Sequence, residues 1–179
     1  MTSVDVVVVG GGIAGVSAAA ALSETHRVAL VEAEQALAHH TTGRSAALFL
    51  ENIGGDLIRG MTISSRPYFE HPPEGLVDAP LLESRPLLCF GAEDEMSEVR
   101  SLAVEGASLV PSVQLLDKAE TLARCSILIE SRVAAAVYEP DSMGIDVMAV
   151  HQSFVRAMRR NGGVVQRGSA DDGTAAGRP

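Results

Sequence analysis

Three glycines at Gly10-x-Gly12-x-x-Gly15 and an acid at Glu32 carry the clearest chemical signal in this chain of 179 residues. The first glycine permits a tight turn after a strand. Gly12 has no Cβ to hold a pyrophosphate away from the backbone, and Gly15 lets the following helix pack closely on the strand. Amides of the first helical turn, starting at Ile13, then donate to phosphate oxygens, with the positive end of the helix dipole behind them. Glu32 lies 17 positions after Gly15, where a carboxylate accepts hydrogen bonds from ribose hydroxyls. The same charge opposes a 2′-phosphate, which disfavours NADP. This spacing suits a dinucleotide but leaves NAD and FAD open, and a ligand-free strand-to-helix turn is the plain structural alternative. Within ten residues of the acid, Thr41-Thr42-Gly43-Arg44-Ser45-Ala46-Ala47 adds hydroxyls, a flexible glycine and a guanidinium near the diphosphate.

These groups need a scaffold, and the first 32 residues read as one βαβ unit. Val4–Val9 is almost entirely β-branched, the pattern of a strand buried on both faces of a parallel sheet. An alanine-rich helix runs to Leu22, and a second strand, Val28–Val31, ends at Glu32. Residues 33–45 read as loop. Helical spacing over 54–70 is weakened by Gly60 and Pro67, so a helix there is expected to stop or kink before the proline. A turn over 71–75, a strand over 87–90, helices over 93–105 and 117–123, and a strand over 132–138 follow. Asp146 is a fitting N-cap for an amphipathic helix whose apolar face holds Val147, Val150, His151, Phe154 and Met158. Gly162 and Gly163 end it, and Val164–Arg167 is expected to return as a strand to the first sheet. His151 reads as a core histidine, and Glu93, Asp94, Glu95 and Glu98 as a solvated helix face.

The formal net charge of −9 argues against a nucleic-acid partner, which needs Lys and Arg gathered on one face. With four Phe, two Tyr and no Trp, base-stacking platforms are lacking too. The apolar run at Val6–Val9 stops at the glycines, so neither a signal peptide nor a membrane span is expected. Cys89 and Cys125 form no C-x-x-C pair and read as buried, reduced thiols, which points to a cytoplasmic location. No metal site is expected.

At Thr41–Ala47 the sequence resembles the glycine oxidase/D-amino-acid oxidase family of FAD-dependent amine oxidoreductases, with the greatest likeness to D-amino-acid (D-arginine) dehydrogenases. The likeness runs over about residues 4–168. It includes the glycine fingerprint, Ser65-Arg66 with Phe69 and Pro72-Pro73, Arg85-Pro86, Leu109-Val110-Pro111 and the 146–163 helix. It implies an α/β, Rossmann-like FAD-binding domain, interrupted by part of an inserted substrate domain. Residues 1–50 and 141–170 would form the cofactor domain, 51–140 the insertion, and 171–179 a disordered tail. It also implies that Ala14, Glu32, Ala33 and the stretch Thr41, Thr42, Gly43, Arg44, Ser45, Ala46, Ala47 and Leu48 lie along the FAD. The implied reaction moves a hydride from the Cα of a D-amino acid or related amine to flavin N5. Catalytic residues are not assigned. His39 and His40 read as a solvated loop, with a place beside the flavin as the alternative.

Where relatives acting on cationic D-amino acids place polar or acidic side chains, this chain has Leu48, Ile53 and Leu87. An unpaired guanidinium would be costly there, which favours a neutral or apolar substrate. Members of the family are longer, so the chain is expected to represent an N-terminal half, with low stability in isolation. An electron acceptor or a complementing second chain are the partners this implies. A non-catalytic nucleotide-binding remnant and an NAD-binding domain are the alternative readings.

Overall fold

The computed structural model describes residues 3–168, and the tail expected to be disordered, 171–179, lies outside them. The chain divides into two compact units.

Residues 3–47, 69–81 and 146–168 form the first unit. Strand β1 (Val6–Val9) leads through a glycine turn into helix α1 (Ile13–Leu22), and β2 (Val28–Glu32) follows. Helix α5 (Val147–Arg160) and strand β9 (Val164–Arg167) complete the unit. The sheet is parallel in the order β1-β2-β9, with Val8 opposite Leu30 and Leu30 opposite Val165. One face is packed: Val16, Ala19 and Ala20 of α1 and Val155 and Met158 of α5 close over Val28 and Leu30. The other face is open, with Val7 at 55%, Val9 at 83% and Val164 at 53% exposure. β1 is therefore buried on one face, not on two. Its valines alternate, and both helices of the unit lie on the side of Val6 and Val8.

Helix α5 starts where its sequence says it should, because Asp146 Oδ1 accepts the Ala149 amide at 2.8 Å. Arg159 and Arg160 occupy the last turn, and Gly162 at φ +85° ends it.

The second unit spans 48–68 and 82–145. Strands β3 (Leu48–Phe49) and β4 (Leu82–Ser84) pair antiparallel with β8 (Met143–Ile145). β5 (Leu87–Gly91) and β6 (Gln114–Asp117) flank β7 (Ala135–Glu139), also antiparallel. Helix α3 (Met96–Leu109) packs Val99 and Ala103 on Val113, Ala135 and Val137. Helix α4 (Lys118–Arg124) is capped by Asp117, which accepts the Glu120 amide at 2.8 Å. The acids Glu93, Asp94, Glu95 and Glu98 are exposed around the start of α3, where the helix dipole favours negative charge.

Helix α2 (Asp56–Glu70) corrects the expectation of a stop, since it continues past Pro67. None of its residues is buried, so the Ile63 carbonyl that loses its partner to the proline ring can meet water. Cys89 is exposed and Cys125 half-buried, both as free thiols, so the reading of two buried cysteines also fails. Among the described residues no helix is long and apolar enough to cross a membrane.

Candidate functional site

Gly10 sits at φ +105°, a conformation that side chains rarely adopt, and its amide donates to the Val31 carbonyl at 2.8 Å. The chain then turns sharply enough that a Cβ on Gly15 would collide with the Gly10 carbonyl oxygen. This is the close helix-to-strand approach that the third glycine of the motif permits. At Gly12 a Cβ would meet only Thr42 Oγ1, at 3.3 Å, so that side of the turn is open.

Helix α1 begins at Gly12 with no side-chain cap and no acid in its first turn. Gly12 is half-buried, and Ile13 and Ala14 are exposed. Thr42 Oγ1 accepts the Ile13 amide at 3.1 Å, which brings the Thr41–Ala47 stretch onto the helix start. Among the described residues nothing accepts the amides of Gly12 and Ala14. An anion approaching here meets two donors, a hydroxyl and the positive end of a helix.

Glu32 faces the same turn from the end of β2. Its Oε2 accepts the Gly11 amide at 2.6 Å and its Oε1 the Glu34 amide at 2.9 Å. These backbone donors, Glu34 first and then Gly11, hold the carboxyl below the ordinary glutamate range. Glu32 thus organises the glycine turn itself, and a carboxylate with about four acceptor positions keeps room for hydroxyls beside two amides. Ala33 is exposed next to it.

Thr42, Gly43 and Arg44 form a short 3-10 turn. Gly43 is there for a close approach rather than for flexibility, because a Cβ would strike the Ala38 carbonyl oxygen, which accepts the Gly43 amide at 2.9 Å. Arg44 is exposed and its guanidinium makes no hydrogen bond or ion pair with a described residue, while its amide donates to the Thr41 carbonyl at 3.2 Å; Thr41, Ser45 and Ala46 are exposed too. Ala47 is half-buried. Leu48 opens β3 and belongs to the second unit with Ile53 and Leu87, of which Ile53 is exposed.

The family model for DAO, described as FAD dependent oxidoreductase, matches residues 5–176. The chain belongs to the DAO family of FAD-dependent oxidoreductases. Its fold is that of solved flavoproteins. The dithionite-reduced L-α-glycerophosphate oxidase of Mycoplasma pneumoniae with FAD bound is 22% identical, with a TM-score of 0.78 over 93% of this chain and 45% of that one. Glycine oxidase of Geobacillus kaustophilus is 21% identical, with a TM-score of 0.77 over 92% of this chain and 46% of that one. NikD, an unusual amino acid oxidase essential for nikkomycin biosynthesis, is 20% identical, with a TM-score of 0.79 over 93% and 44%. The chain spans somewhat under half the length of these structures. The α/β, Rossmann-like FAD-binding fold of the family accounts for the parallel β1-α1-β2 unit.

Two participants in the turn carry no signal of their own in the sequence. Ala38 adopts φ +58°, unusual for alanine, and is kept there by hydrogen bonds at both its amide and its carbonyl. His151, assigned to the core of α5, is indeed fully buried, but its Nε2 reaches the Gly11 carbonyl at 2.8 Å. His40 pairs with Glu34 at 3.0 Å, and together with His39 they place one ligand-capable atom each within 4.8 Å. This group is largely exposed and the His40–Glu34 hydrogen bond accounts for its closeness.

Proposed function

We propose that this chain binds FAD at the Gly10–Gly15 turn and takes part in oxidising a D-amino acid or related amine. The observation that carries the reading is the open start of α1, where the amides of Gly12 and Ala14 lack partners beside a glycine turn that a Cβ would fill. In this reading Gly10, Gly12, Ile13, Ala14 and Gly15 receive the diphosphate. Thr42 accepts the Ile13 amide and keeps its own hydroxyl hydrogen for a phosphate oxygen. Arg44, exposed and uncommitted, supplies positive charge. Glu32 and Ala33 lie at the ribose, and Thr41, Gly43, Ser45, Ala46, Ala47 and Leu48 run along the rest of the cofactor. The cofactor segments are 1–50 and 141–170, and 51–140 is the substrate-side insertion.

FAD, when bound, supplies hydride acceptance at N5, so that the amine leaves as an imine that water hydrolyses to a keto acid and ammonia. The chain's own work is binding and orientation, through backbone donors fixed before the ligand arrives. Leu48, Ile53 and Leu87 offer no carboxylate to a cationic side chain, which supports a neutral or apolar substrate. The test is the visible spectrum of the purified chain loaded with FAD under anaerobic conditions. Bleaching by D-alanine or D-leucine, and less by D-arginine, is expected. Bound flavin that stays oxidised with every amine would overturn catalysis and favour a nucleotide-binding role or one that needs a second chain.

A further inference from the structure

We infer that His151 is a positioning residue that aims the Gly12 amide into the anion site. Three consecutive glycines, Gly10 to Gly12, form the turn. Glycine peptides rotate with little steric hindrance, so this loop has no intrinsic reason to keep one orientation. Gly11 is nonetheless held from three sides, two of them at the carbonyl of the Gly11–Gly12 peptide. The Gly11 amide donates to Glu32 Oε2 at 2.6 Å, and the Gly11 carbonyl accepts from the Ala38 amide at 3.0 Å and from His151 Nε2 at 2.8 Å.

No peptide bond among the described residues is cis. In a planar trans peptide the C=O of Gly11 and the N–H of Gly12 point in opposite directions. A carbonyl drawn toward α5 therefore turns the Gly12 N–H away from it, to the side where Gly12 has no Cβ and its amide no partner. A flipped peptide would present a carbonyl oxygen there and repel an anion. His151 is suited to the task because it is fully buried, on the side of α5 that carries the core residues Val155 and Met158. A carbonyl only accepts, so Nε2 carries the proton. Nδ1 is then the acceptor, and the Gln152 side-chain amide lies 3.4 Å from it.

The inference takes its ligand from the FAD reading, and two readouts keep the two apart. His151→Gln keeps an Nε2 donor at the same remove from the backbone, whereas His151→Leu keeps bulk without a donor. In the full chain without FAD, amide hydrogen exchange at residues 10–14 should quicken about tenfold in the leucine variant, as for one lost buried hydrogen bond. It should stay near wild type in the glutamine variant. FAD affinity should fall by about the same factor with leucine and recover with glutamine. Nitrogen NMR of the wild-type ring should show the proton on Nε2. A proton on Nδ1, a leucine variant with unchanged exchange, or a glutamine variant as impaired as leucine would overturn the role. Wild-type protein that takes up no FAD yet shows the exchange contrast would overturn the cofactor reading and leave the clamp standing.

Discussion

Substituting Gly15 by alanine should destabilise the chain, although alanine is the better helix former. A Cβ at this position would collide with the Gly10 carbonyl oxygen, lie 3.0 Å from the Gly10 carbonyl carbon and touch Leu30 Cδ1 at 3.7 Å. The first two are backbone atoms, so no side-chain rotation relieves them, and α1 must withdraw by about 1 Å or more to regain ordinary spacing. The helix cannot withdraw freely, since Val16, Ala19 and Ala20 are at most 7% exposed against Val28, Leu30, Val155 and Met158. Overpacking of this kind costs about 1–3 kcal/mol, and a backbone clash belongs at the upper end. The gain in helix propensity from glycine to alanine offsets about 1 kcal/mol. The net loss is then about 2 kcal/mol, or about 4–8 °C in melting temperature for a chain of this size. Gly60→Ala is the control: a Cβ there meets nothing within 4 Å in α2, so it should stabilise by about 0.5–1 kcal/mol. Urea unfolding followed by far-ultraviolet circular dichroism measures both. Equal stability of Gly15→Ala and wild type, or destabilisation by Gly60→Ala, would refute the packing described here.

Two carboxyls give predictions of opposite sign. Glu32 is held below the ordinary range by the Glu34 and Gly11 amides, so its contribution is present above that range and lost as pH falls through its lowered value. Glu32→Gln should therefore unfold more easily than wild type at pH 7, with the gap narrowing on acidification, as read by thermal melts from pH 7 to 3. Burial pushes Glu139 up, with Asp141 and Glu51 adding to the effect and the Asn52 side-chain amide, 2.7 Å away, opposing it. A raised carboxyl stabilises while protonated and costs stability once pH rises through its folded value. Glu139→Gln should stabilise at pH 7 by about 1 kcal/mol, because its amide can also satisfy the buried, partnerless Asn52 Oδ1. That advantage should vanish in melts near pH 4.

Local pattern made the βαβ unit and the last helix legible. The valine run, the glycine spacing and the acid at Glu32 are consecutive signals, and Asp146 with the following apolar face marks α5 almost to the residue. What local pattern missed depends on distant partners. β4, β6 and β8 are three or four residues long and exist because of antiparallel neighbours elsewhere in the chain, so no period announces them. β1 reads as doubly buried because its valines are uniform, while their exposure is decided by where α1 and α5 lie. Pro67 is tolerated because no residue of α2 is buried. At the site, Gly43 was visible as a glycine, but its reason, the nearby Ala38 carbonyl, was not. The bond from His151 to Gly11 joins residues 140 apart, and only the assembled fold brings them together.

The most direct test of the cofactor claim is a fluorescence titration of the purified chain with FAD, beside NAD, for wild type, Gly12→Val and Glu32→Ala. One FAD per chain is expected, with affinity weakened at least about tenfold by either substitution, the equivalent of one or more lost hydrogen bonds. A valine at Gly12 would crowd Thr42 Oγ1, already 3.3 Å from a Cβ there, and fill the open side of the turn. Absence of FAD binding in the folded wild-type chain, preference for NAD, or FAD affinity indifferent to both substitutions would contradict the account.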